Sequence, residues 1–100
     1  MIIYNVTVKV EHDIAKEWVV WMKNEHMTEL MATGLFFDSR LCRILEQDEG
    51  DGLTYTAQYF CENIDRYNDY IGKYSSQLRE KSYKRFGGKF VAFRTIMEVI

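Results

Sequence analysis

Strand-like and helix-like patterning alternates along this 100-residue chain in the order strand, helix, strand, strand, helix, strand. That order predicts an α+β fold of the ferredoxin-like βαββαβ kind, a four-stranded antiparallel sheet with two helices on one face. Three observations carry the prediction. Residues 2–10, 53–61 and 89–99 are rich in β-branched and aromatic side chains. Two longer stretches repeat apolar residues at three- and four-residue steps. An acidic, glycine-bearing segment, Glu49-Gly50-Asp51-Gly52, separates two extended runs, as a hairpin connection does.

In the first strand, residues 2–10, Tyr4, Val6, Val8 and Val10 point to one side and Ile3, Asn5, Thr7 and Lys9 to the other. Asp13 stands where a carboxylate accepts the free amides of a helical first turn. Ala15, Trp18, Val19, Met22, His26 and Leu30 then recur at helical spacing, so a helix is expected from Ile14 to Ala32, closed by Gly34 in the left-handed conformation. Phe36 to Asp48 reads as the second strand and Leu53 to Cys61 as the third. Asn63 is a suitable N-cap for a second helix carrying Ile64, Tyr67, Ile71, Tyr74 and Leu78, which Gly87-Gly88 ends. Residues 89–99 supply the last strand. With no linker, internal repeat, low-complexity tract or proline, residues 1–100 are expected to form a single domain.

If Asp51-Gly52 is a two-residue turn, positions whose numbers sum to 103 face each other, and Cys42 with Cys61 is such a pair. Two cysteines without C-x-x-C spacing make neither a secreted disulfide framework nor a zinc site, so both are expected to act as small apolar residues. The same register sorts the sheet into two faces. Tyr4, Val6, Val8, Cys42, Ile44, Tyr55, Ala57, Tyr59, Val91, Phe93 and Met97 are expected under the helices. The open face is expected to carry Ile3, Asn5, Thr7, Leu41, Arg43, Leu45, Thr56, Gln58, Phe60, Phe90, Arg94 and Ile96, a mixture too apolar for a plain wet surface. A second copy of the chain packed on that face is the economical way to cover it, so a homodimer is expected.

A formal net charge of −2 with scattered basic residues gives no positive stripe for a nucleic-acid backbone. No apolar run reaches the length of a bilayer span, and the chain starts directly in a strand, so a cytoplasmic protein without membrane or nucleic-acid partners is expected. No motif implies a metal or a cofactor. Glu11, His12 and Asp13 are consecutive and diverge in direction, and the acidic segment at 48–51 is too short for a calcium loop.

His26 is the candidate catalytic residue, because an imidazole exchanges protons near neutral pH and two tryptophans share its helix. Its flanking Met22 and Leu30 also place it on an apolar stripe, where it would serve packing. Arg43 and Arg94 are candidate ligand-binding residues, since a guanidinium under a lid needs a carboxylate or an anionic ligand. Asn5, Thr7, Thr56 and Gln58 would add neutral hydrogen bonds. Together they suggest a small-molecule site for an acid or an oxygenated aromatic.

Met1-Ile2-Ile3-Tyr4-Asn5-Val6-Thr7, Trp18-x-x-Trp21-Met22-x-x-x-His26, Leu30-Met31-Ala32-Thr33-Gly34-Leu35-Phe36 and Tyr55-x-x-Gln58-Tyr59 resemble the bacterial family catalogued as domain of unknown function 4286 over essentially the whole chain. The resemblance implies a ferredoxin-like fold of the dimeric α+β barrel type and supplies no activity. More distantly, the architecture is similar to that of antibiotic-biosynthesis monooxygenases and haem-degrading enzymes, a likeness of fold that does not fix function. Three functions are therefore open: a homodimeric small-molecule-binding domain, a cofactor-free or haem-linked monooxygenase using His26, and a purely structural or regulatory dimerisation module.

Overall fold

A computed structural model describes residues 1–100. Strands β1 (Ile2–Val10), β2 (Asp38–Arg43), β3 (Leu53–Cys61) and β4 (Phe90–Glu98) form one antiparallel sheet in the order β2-β3-β1-β4. The chain therefore has the expected ferredoxin-like α+β architecture, with β1 and β3 central and β2 and β4 at the edges. β1, the most β-branched run, pairs along its whole length with both β3 and β4, so its inward residues Tyr4, Val8 and Val10 are buried.

The first helical stretch is continuous but not uniform. A short 3-10 turn (His12–Ile14) leads into α1 (Ala15–Trp21), a π turn (Met22–His26) and α2 (Met27–Ala32), with helical φ and ψ at each junction. Asp13 does not cap it. No side chain caps this stretch, and the Asp13 carboxylate instead pairs with Lys89 across the molecule, which holds it below the usual carboxylate range. Gly34 takes the left-handed conformation expected of it, with φ +76°. Asn63 caps α3 (Ile64–Lys73) by accepting the Arg66 amide at 3.1 Å. The second helical region is broken at Tyr74, whose φ of −126° leaves the helical range, and resumes as α4 (Ser75–Phe86) before Gly87.

The core lies between the helices and one face of the sheet. Trp18, Trp21, Met22, Met27 and Leu30 from the first helical stretch and Tyr70, Leu78 and Phe86 from α3 and α4 close over Tyr4, Val8, Ala57 and Tyr59. Phe36 packs there from the segment before β2, stacked near Tyr4 and edge-on to Tyr70. The surplus of aromatic residues is used in this layer, where tilted and edge-on ring pairs fill volume without flattening against one another.

Two sheet assignments differ from expectation. β2 is short and pairs with β3 so that Asp38 faces Phe60 and Cys42 faces Thr56. Partner numbers therefore sum to 98, not 103, because the connection spans residues 44–52 and is not a two-residue turn. Cys42 is exposed on the open face, Cys61 is buried opposite Ile2, and both are free. Gly52 is needed for another reason: a Cβ there would meet the Val10 carbonyl oxygen at 2.3 Å. The odd shift of register turns β2 over, placing Leu41 and Arg43 on the helix side. β4 is likewise turned over, since Val6 faces Arg94 and Val8 faces Ala92. Phe90, Arg94 and Ile96 thus lie on the helix side, while Val91, Phe93 and Met97 lie on the open face. Leu45 stands in the β2–β3 connection.

Candidate functional site

Between the sheet and the helices the core is incomplete. A cavity of about 40 Å³ is lined on the sheet side by Tyr4, Val6, Val8, Ala57, Tyr59, Phe90, Ala92 and Arg94, and on the helix side by Trp18, Met22, His26, Leu30, Tyr70, Arg79, Ser82 and Tyr83. Most of this lining is apolar or aromatic. Its polar atoms are the informative part, because a buried donor or acceptor without a partner costs free energy and is rare in native structures. Four buried side-chain polar atoms here have no hydrogen-bond partner, and three of them, His26 Nδ1, the Tyr59 hydroxyl and Arg79 Nε, belong to residues lining this one cavity.

The π turn delivers His26. An extra residue in a helical turn shifts the side chains after it around the axis, and such turns are common at functional sites. His26 ends the π turn, with its ring stacked on Trp21 at 4.9 Å between centroids. Burial is the main cause that pulls its pKa from 6.5 down to about 4; Glu29 opposes this, and Arg94 and Lys81 add to it. At pH 7 the imidazole is neutral.

Arg94 reaches the cavity because β4 is turned over, and its Nε donates to the Tyr4 hydroxyl at 3.2 Å. Arg79 arrives from α4. Neither guanidinium meets a carboxylate: the ion pairs of the chain join other residues, and Glu29, the acid that acts on His26, is engaged by Lys81 at 2.7 Å. Both arginines line the cavity and act electrostatically on the Tyr70 hydroxyl, which lines it too. Burial raises the pKa of Tyr59 and of Tyr70, so both stay protonated and able to donate. The result is a pocket rich in donors, with two unneutralised cations and a neutral imidazole.

The residues expected to form a site are divided between the two faces of the sheet. Asn5, Thr7, Thr56 and Gln58 stand together on the open face, Asn5 opposite Gln58 and Thr7 opposite Thr56, with Asn5 Nδ2 donating to Thr7 Oγ1 at 3.1 Å. Arg43 lies at the exposed end of β2 and pairs with Glu49, so it is on neither the open face nor the cavity wall. Arg94 and His26 meet in the cavity. Arg79, Tyr59 and Ser82 were not expected there. One signal pointed to Arg79: in α4 it sits among the inward positions Ser75, Leu78, Ser82 and Phe86, where an arginine has no reason to be unless something receives it.

The sequence of all 100 residues matches the family described as domain of unknown function (DUF4286). The chain belongs to that family. It matches no curated protein. Its fold is similar to that of solved structures at low identity: a dimeric ferredoxin-like protein from an uncultured marine organism (7% identity, TM-score 0.76, 99% of this chain and 94% of that one); SnoaB, a cofactor-independent oxygenase from Streptomyces nogalater (9%, 0.62, 98% and 92%); and a monooxygenase from the gene ActVA-Orf6 of Streptomyces coelicolor, solved with the ligand nanaomycin D (15%, 0.63, 99% and 88%). At these identities the DUF4286 chain shares their fold.

Proposed function

We propose that this DUF4286 domain binds a small anionic molecule in the cavity between its sheet and its helices. The observation that carries the reading is the convergence of two carboxylate-free guanidinium groups and three partnerless buried polar atoms on one cavity. An acceptor-rich ligand supplies the missing partners and pairs with the two guanidinium charges. The test is a thermal-shift screen of the purified protein against small aliphatic and aromatic acids. A ligand should raise the melting temperature, and Arg79→Met and Arg94→Met should each remove the rise; no response to any acid at ten-millimolar concentration sinks the reading.

A cofactor-free oxygenase is the second reading, supported by a neutral imidazole facing a mostly apolar cavity, the unprotonated state a general base requires. A hydroquinone ring exceeds about 40 Å³ and enters only if the cavity walls part, so oxygen uptake with that substrate, abolished by His26→Leu, would support this reading and overturn any size limit on the site; no uptake would remove it. A haem does not fit a cavity of about 40 Å³, so the haem-linked variant of that reading lacks support.

The open face supports a homodimer, though through other residues than expected. Phe60 is only 8% exposed because Phe37 and Arg40 of its own chain cover it, the guanidinium lying 5.0 Å from the ring centroid. Val91 and Phe93 are 71% and 62% exposed on the same side as Ile3 and Met97. No helix of the structure is long and apolar enough to cross a membrane, and a cytoplasmic location is part of this reading.

A further inference from the structure

We infer that the helix–sheet cavity accepts a compact oxyanion of about three or four non-hydrogen atoms, of the formate or nitrate kind, and excludes aromatic acids. This inference rests on the reading above that the cavity is a ligand site, and it is decided by size and by donor count.

Size comes first. A water molecule needs roughly 10–15 Å³ measured in this way, and a void of about 150 Å³ is known to take benzene. About 40 Å³ therefore leaves room for roughly three water-sized groups. A carboxylate with one further atom fits, whereas a benzoate requires the walls to part. Three contacts tie the walls together, two of them exposed ion pairs between helices. Tyr83 stacks on Phe90 at 5.2 Å between centroids, and Lys81 on α4 bonds Glu29 on α2 at 2.7 Å. Arg85 on α4 bonds Glu17 on α1 at 2.9 Å.

Donor count points to the same class. Arg79 Nε lacks an acceptor, Arg94 has only the Tyr4 hydroxyl, and the Tyr59 hydroxyl has none. A planar anion that only accepts hydrogen bonds matches two guanidinium groups edge to edge, the geometry in which such pairs are strongest. A neutral small molecule would leave both charges uncompensated.

The size limit also bounds affinity. Very small ligands gain at most about 1.5 kcal/mol per non-hydrogen atom, so formate should bind no more tightly than roughly half-millimolar. The experiment is a titration of ¹⁵N-labelled protein, following the Arg Nε–Hε and Trp18 indole signals, with sodium formate, sodium nitrate and sodium benzoate, using sodium chloride at matched ionic strength as the reference. The expected result is saturable millimolar shifts of the Arg79 and Arg94 signals with formate and nitrate, none with benzoate or chloride, and at least a tenfold loss of affinity in Arg94→Met. Tyr59→Phe, which removes one hydroxyl and keeps the ring, should weaken formate several-fold and serves if the arginine variant does not fold. Saturable binding of benzoate overturns the size limit while leaving the site intact. Absence of saturable shifts with all three acids overturns this inference, and silence from every acid in the thermal-shift screen as well overturns the site.

Discussion

Acidification should weaken this protein through His26, and the size of the effect follows from its surroundings. The imidazole titrates near 6.5 when solvated and at about 4 in the folded chain, because burial disfavours its charged form. The unfolded state therefore takes up the proton first. The stabilisation is complete above the unfolded value and is lost as pH falls toward the folded one. Linkage puts the loss at about 2 kcal/mol between pH 7.5 and pH 5, rising to about 3 by pH 4. The assay is urea unfolding of the wild-type protein and His26→Leu at pH 7.5, 6 and 5. All other ionisable groups are common to both proteins and cancel in the difference, so the variant should lose about 2 kcal/mol less than the wild type over that interval. Parallel losses, or an NMR titration of His26 centred near 6.5, would refute the argument that this ring is held neutral by burial.

Gly52→Ala should lower the melting temperature by roughly 4–8 °C or more for each kcal/mol of strain, since its Cβ would press on the Val10 carbonyl, whereas Gly88→Ala, with open space around it, should change stability by less than about 0.5 kcal/mol; calorimetry of the pair checks both. Asn63→Ala removes the acceptor for the Arg66 amide and should cost about 1 kcal/mol in urea unfolding, while a neutral result would show that the cap is not needed. Leu30→Ala truncates a side chain that is 1% exposed and should cost roughly 2–5 kcal/mol, the upper part of that range applying if the existing cavity simply enlarges. Phe93→Glu should leave circular dichroism unchanged but convert a species sedimenting at twice the chain mass into one at the chain mass; a wild-type protein already at the chain mass would count against the dimer.

The candidate site was half legible in the sequence. His26 stood out by its type on an apolar helical stripe, and Arg94 as a charge within a strand. β4 is harder to sort, since its two alternating sets, Phe90, Ala92, Arg94, Ile96 and Val91, Phe93, Thr95, Met97, are both largely apolar. Alternation alone does not say which of two such sets faces the helices. In the structure Arg94 marks the wall of the cavity, where Tyr4 receives it. The departure from plain patterning is thus located at the site itself, as expected where function overrides burial. Arg79 carried only its position among buried α4 residues, and the partnerless Tyr59 hydroxyl carried no signal, since a strand tyrosine reads as packing.

What the chain determined by itself was the order and type of its elements. β-branched alternation in β1 and β3, helical spacing from Ala15 to Leu30, the Asn63 cap and the left-handed Gly34 are all local, and local propensity and pattern are written in neighbouring residues. What only the tertiary structure decided was register. Whether β2 meets β3 with partner numbers summing to 103 or 98 depends on a nine-residue connection and on Gly52 fitting against Val10, a contact between residues 42 positions apart. One odd step in that register inverts a strand. With β4 inverted as well, Arg94 lines the same cavity as Arg79 and His26, and Val91 and Phe93 are left facing outward.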